Sequence, residues 1–156
     1  RRVPIGLIPT DVEDELASVA VRESREQIVQ ILIGPWVFPD QHFSHWRPRE
    51  RLAVVAAGDF QQLAALPMAA FVAYETLLHG LRAGYPAYDP DALMHEETRG
   101  CLFDLCAHKA DIREKLLHGI ICPECRPKLE QLGIPVDKLA ACLAGVGNLA
   151  AGGSSA

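Results

Sequence analysis

Four cysteines in the stretch CLFDLCAHKADIREKLLHGIICPEC, residues 101–125, fall as Cys-x4-Cys-x15-Cys-x2-Cys. This spacing constrains the fold more than any other feature, because sulfurs that share one ion must be brought together whatever the rest of the chain does. The two-residue gap in Cys122-Pro-Glu-Cys125 lets both sulfurs reach one metal while backbone N–H groups turn toward them. Zn²⁺ suits four thiolates, since it has no ligand-field demand for geometry and a tetrahedral sulfur shell saturates it. The spacing therefore predicts one structural Zn²⁺ per chain on Cys101, Cys106, Cys122 and Cys125, stapling residues 95–129 together. Between the two pairs, Asp111, Ile112, Leu116 and Leu117 fit a helix that ends near Gly119. A redox role for the CPEC pair fits less well, because thioredoxin-type motifs stand between a strand and a helix near the start of a chain.

Five cysteines without an export signal point to a reducing compartment, where such pairs mean metal more often than disulfide. The fifth, Cys142, reads as a small buried hydrophobe in the last helix. The start, RRVPIGLIPTDVEDE, lacks the long apolar core of a secretory signal, and no run is long enough to cross a bilayer. A cytoplasmic setting is therefore expected. With no initiating Met, the chain is expected to be processed or cut from a longer protein. The formal charge is −5, and thiolates around Zn²⁺ would make it more negative. Such a chain gets no long-range attraction to nucleic-acid phosphates or anionic membranes. The short basic run RPRER at 47–51 reads as a solvated turn. The expected partner is a protein or an adjoining domain.

Length and composition suit one α/β domain over residues 1–150, followed by a flexible tail at 151–156. Residues 3–9 read as a short buried strand. Thr10 and Glu13 form a capping box, and Val12, Leu16, Val19 and Ala20 carry a helix to about Arg25. The β-branched run IVQILI at 28–33 is a second strand, and strand–helix–strand at this spacing signals a βαβ unit. Residues 34–50, with three prolines and both tryptophans, read as irregular. LAVVAA at 52–57 is a third strand. Pro67 opens the strongest helix, apolar on most of its circumference and hence central, with Gly84 at its end. KLEQL gives a short helix after the knuckle, and residues 135–149 a terminal helix weakened by its glycines. The expectation is a small mixed sheet of about three or more strands with packing helices and a Cys₄ zinc module near the C-terminus.

The cysteine layout resembles the tail of the archaemetzincin-type metallopeptidases, where Cys-x4-Cys, some 15–20 residues and Cys-x2-Cys hold a structural zinc. The strand–helix alternation and long central helix are also similar to a metzincin-like outline. In that family the first of these cysteines directly follows HExxHxxGxxH, whose histidines hold a catalytic zinc. Here the three histidine positions are occupied by Pro90, Met94 and Gly100, the glutamate position by Asp91 and the glycine position by Glu97. His95-Glu96 begins like HExxH, but Arg99 stands where the second histidine belongs. The resemblance thus implies the fold and the structural zinc for a degenerate member, and it argues against peptidase activity.

Among the remaining polar residues, His95, Glu96 and Arg99 form the densest cluster, leading straight into Cys101. They are the candidate polar site, with His95 a general base or a replacement zinc ligand for Cys106. The plainer reading is a solvated turn in which Arg99 pairs with an acid. Asp40, His42 and His45 could chelate a second metal together, although loop histidines are more often simply exposed. Glu75 and His79 lie four apart on the central helix without a second histidine. Trp36, Phe38, Phe43 and Trp46 form either a partner-binding surface or the cover of one sheet face. Two functions follow. The favoured one is a zinc-stabilised, non-catalytic binding or accessory module related to metzincin-like peptidases. The alternative is a divergent zinc-dependent hydrolase using separated histidines such as His42, His45, His79 and His95.

Overall fold

The computed structural model describes residues 6–7, 29–40 and 42–152, the first two by backbone alone. The expected helix to Arg25, its capping box and the tail beyond Gly152 lie outside the described residues. Among the described residues the strands are β1 (Gly6–Leu7), β2 (Gln30–Gly34), β3 (Trp36–Val37), β4 (Ser44–Arg47) and β5 (Leu52–Ala56). The α-helices among them are α1 (Phe60–Ala64), α2 (Met68–Gly84), α3 (Ile112–His118), α4 (Cys125–Gln131) and α5 (Val136–Ala150). The architecture is mixed α/β, as the sequence pattern implies.

The main sheet has the order β2-β5-β4, with β5 parallel to β2 and antiparallel to β4. β1 pairs separately with β3, in parallel. LAVVA is β-branched and apolar without alternation, so it takes the central position, where every residue of β5 is buried. Val55 faces the main core, whereas Leu52, Val54 and Ala56 pack with Phe38, Leu32 and Trp36 on the other face. The segment 34–50 is not irregular throughout, because it supplies β3 and the antiparallel edge strand β4. Its residues SHWR are only half buried, so the pattern carried no apolar signal. Phe38 and Trp36 pack on that second face of the sheet, while Trp46 stacks on His79 of α2.

Helix α1, which the pattern did not reveal, supplies Phe60. This ring stacks on Phe71 of α2 at 4.3 Å between centroids, and Phe43 closes edge-on at 5.3 Å from Phe71. α2 buries Ala70, Phe71, Tyr74, Glu75, His79 and Leu81, and packs mainly on α5, which also covers α3. Helix α5 runs through both of its glycines to Ala150, and one of them has a packing role. A Cβ at Gly147 would stand 3.3 Å from the Leu117 carbonyl oxygen, so the missing side chain admits close packing over the end of α3. These contacts fix the layer that carries residues 93–125. No helix among the described residues is long and apolar enough to cross a membrane.

Candidate metal centre

The cysteine region is a set of short loops stitched to one another by backbone bonds. His95 N–H donates to the Phe103 carbonyl at 2.9 Å, and Leu105 N–H donates to the His95 carbonyl at 2.7 Å. Leu102 N–H reaches the Ile120 carbonyl at 2.9 Å, and Ile120 N–H reaches that of Gly100 at 3.0 Å. These bridges carry the 95–105 loop across the segment leading into the knuckle. Gly100 takes φ +79°, where a side chain would be strained, and so permits the turn into Cys101. At the knuckle, Cys125 and Arg126 N–H both donate to the Cys122 carbonyl at 3.1 Å, and α4 starts from Cys125.

The result gathers His95, Cys101, Cys122 and Cys125, whose ligand atoms all lie within 4.8 Å of one another. His95 Nε2 stands 3.0 Å from Cys125 Sγ and 3.1 Å from Cys122 Sγ. Cys101, Cys122 and Cys125 are buried. Burial raises the Cys101 and Cys125 thiols above their ordinary value, helped in each case by the neighbouring Cys122 sulfur. Burial acts the same way on Cys122, but it is outweighed by the Cys125 backbone N–H and thiol, the Glu124 N–H and the Cys101 thiol, so Cys122 is lowered. Of the three sulfurs, Cys122 is thus the one shifted toward losing its proton, while Cys101 and Cys125 are shifted toward keeping theirs. A cation entering such a group takes the place of those protons.

Supporting groups surround this set. Asp104 Oδ2 accepts the backbone N–H of Arg99 at 2.6 Å and of Cys101 at 2.9 Å, although Asp104 is nearly inaccessible to solvent. His95 Nδ1, the nitrogen turned away from the sulfurs, faces Glu124 Oε2 at 3.8 Å. Arg99 bridges Glu124 at 3.3 Å and Glu97 at 2.9 Å. A carboxylate behind a ligating imidazole is the usual outer partner of a metal-bound histidine, setting its tautomer and orientation.

The ligand set differs from the expected four thiolates. Cys106 is not among the gathered atoms, and His95 takes the fourth place. The reason lies in the loop: Leu105 N–H is tied to the His95 carbonyl, and Cys106 lies beyond that crossing. There it is half buried, its thiol raised by burial and partly offset by the Lys115 ammonium beside it. The candidate polar site also divides. His95 belongs to the metal set and Arg99 braces it from outside, while Glu96 is exposed. Cys142 is exposed rather than buried. Spacing alone did not reveal Asp104 or Glu124, although an Asp three residues after a cysteine is a familiar receiver of loop N–H groups.

A second group comprises Asp40, His42 and His45, again with ligand atoms within 4.8 Å of one another. Burial acts to raise Asp40, but the His42 N–H and the His45 imidazole prevail and lower it. Glu75 and His79, by contrast, stand side by side in the core, where Glu75 Oε2 and both imidazole nitrogens of His79 have no hydrogen-bond partner among the described residues. His79 Nε2 lies 3.3 Å from Glu75 Oε2, and the Trp46 indole stacks over the imidazole at 5.7 Å. Comparison with family models, with curated proteins and with solved structures finds no match for this chain.

Proposed function

We propose that residues 95–129 form a structural zinc module and that the chain is a non-catalytic binding or accessory domain. The observation that carries this reading is the composition of the set itself. Three sulfurs and one imidazole are the Cys₃His donors of structural zinc sites, and four protein ligands leave no position for a substrate or a water. The soft sulfurs select Zn²⁺ over Mg²⁺ or Ca²⁺. The module ties the loop after α2 to α3 and α4, so its metal contributes to folding rather than to turnover. A reducing, cytoplasmic compartment suits free thiols of this kind. The partner expected for such a domain is a protein or an adjoining domain, not nucleic acid or membrane, given the net charge of −5.

Kinship with archaemetzincin-type peptidases, as a degenerate member, rests on the cysteine spacing and the α/β outline. It is weakened by Cys106, which is part of that spacing but stands outside the set. The test is elemental analysis of the purified chain. One zinc that survives desalting and is lost in Cys122→Ser supports the module, and a chain that folds fully without metal refutes it.

The alternative, a divergent zinc-dependent hydrolase with non-standard histidine ligands, needs an open metal with about three protein ligands. One observation favours it, the Asp40, His42 and His45 group, whose ligand atoms lie within 4.8 Å of one another, whereas His79 is buried beside Glu75 and His95 stands among the cysteines. Metal-dependent peptide hydrolysis that disappears with those histidines would establish this alternative.

A further inference from the structure

We propose that Asp40, His42 and His45 form a second metal site, which takes an exchangeable first-row divalent ion such as Zn²⁺. The proposal rests on this group alone and is independent of the cysteine module. Asp40 Oδ2 lies 3.0 Å from His45 Nε2 and 3.5 Å from His42 Nδ1. Two ligands each about 2.0–2.2 Å from a zinc ion stand about 2.9–3.5 Å apart, so each imidazole nitrogen already has that separation from the carboxylate oxygen, and the two nitrogens lie within 4.8 Å of each other. Two imidazoles with one carboxylate suit borderline ions, whereas Mg²⁺ and Ca²⁺ call for oxygen ligands.

Each ligand is held by something other than a metal. Asp40 Oδ1 accepts the His42 backbone N–H at 3.0 Å, which turns its other oxygen toward the imidazoles. The His45 ring is stacked on Phe38 with centroids 4.1 Å apart and planes 7° from parallel. Phe38 is itself buried, and its carbonyl accepts the Lys109 ammonium at 2.9 Å. His45 also belongs to β4, whose register with β5 places it opposite Val54. The carboxylate and one imidazole are therefore oriented from behind, and orientation of that kind strengthens a metal site. His42 is exposed, so the ion enters and leaves from solvent. Coordination positions on the solvent side are left to water, unlike the closed set around Cys101.

The experiment uses the purified chain with its cysteine site as isolated. Zn²⁺ is titrated by calorimetry, with Mg²⁺ as control, against the parent and the double variant His42→Ala with His45→Phe. Phenylalanine at 45 keeps a ring over Phe38, and the double variant's melting profile without added zinc verifies its fold. The expected result is about one further zinc per chain in the parent, removed by a chelator that leaves the tightly held metal. The double variant loses this uptake but keeps the tightly held metal. Asp40→Asn weakens uptake at least about tenfold. No uptake by the parent, or uptake that persists in the folded double variant, overturns the proposal.

Discussion

The Asp104 carboxylate accepts the backbone N–H of Cys101 at 2.9 Å in the buried interior of the cysteine loop. The same oxygen takes the Arg99 N–H, so one side chain gathers two backbone donors on either side of Gly100. Those donors turn inward where no strand or helix can satisfy them, and Asp104 is the group that lets the chain make the turn. A carboxylate three residues away thus fixes the backbone from which the Cys101 side chain leaves.

Replacing Asp104 with Ala strands two backbone N–H groups away from water. Each unsatisfied buried donor costs about 1–3 kcal/mol, so the variant should lose about 2–6 kcal/mol of stability. It should also bind zinc more weakly, because Cys101 is no longer held. Asp104→Asn retains an acceptor and should lie between the two. Chemical denaturation together with zinc retention in a competing chelator measures both effects, and unchanged stability in the Ala variant would remove Asp104 from this role.

His95 and Cys106 are, on sequence grounds, alternatives for the fourth ligand place, and it is the His95 ligand atom that lies within 4.8 Å of the other three. His95→Ala should therefore release zinc to chelator at least about tenfold more readily, whereas Cys106→Ser should retain it like the parent. Cys106→Ser should also remain folded, because its half-buried thiol has no role in the set. Chelator competition on the two variants decides the matter, and a Cys106→Ser chain that loses its zinc would restore the four-thiolate arrangement.

Much of this was legible in the residues, and what was not has physical causes. LAVVA announced a buried strand because β-branched residues without a polar face have few other uses. Helix α3 could be placed from Asp111, Ile112 and Leu116, and it ends at Gly119 as the pattern implied. β4 was hidden because SHWR is an edge, half buried on one side, where polar and apolar side chains serve equally well. Cys101, Cys122 and Cys125 were identified from spacing, but spacing counts residues and not directions. It could not show that the His95–Leu105 bridge carries Cys106 past the cluster. Nor could it weigh Asp104 or Glu124, whose roles come from contacts made across the loop and knuckle.

The cysteines should also differ in reactivity, because access and thiolate content both set the rate of alkylation. Cys142 is exposed and should be labelled first by iodoacetamide. Cys106 is half buried with its thiol raised by desolvation, so at a given pH it carries less thiolate than an ordinary cysteine. It should react slowly, and faster as the pH rises. Cys101, Cys122 and Cys125 should stay protected while zinc is bound and become reactive when a strong chelator removes it. Peptide mapping by mass spectrometry reads all five positions. Protection of Cys106 that is lost together with that of Cys101 would contradict its exclusion from the site.

Lys109 connects the cysteine-bearing half of the chain to the sheet. Its ammonium donates to the Phe38 carbonyl at 2.9 Å and to Asp59 Oδ2 at 3.1 Å, and lies 5.2 Å from the Phe43 ring centroid. The side chain is only 9% exposed, so this charge is compensated by few groups, all of them from residues 38–59. Removing one partner of a buried ion pair leaves the other charge uncompensated, and Asp59 Oδ1 already lacks a hydrogen bond. Lys109→Met fills a similar volume but strands the Asp59 carboxylate, and it should destabilise the chain by about 3 kcal/mol. Pairing it with Asp59→Asn should recover part of that loss, because no buried charge then remains. The double variant still lacks the donor that fixes the Phe38 carbonyl, and with it the surface on which His45 stacks. Zinc uptake at Asp40, His42 and His45 should therefore stay weakened even where stability is recovered. A thermodynamic cycle on the two substitutions, read by denaturation and by zinc titration, separates the two effects, and independent losses from each variant would show that Lys109 and Asp59 do not act as a pair.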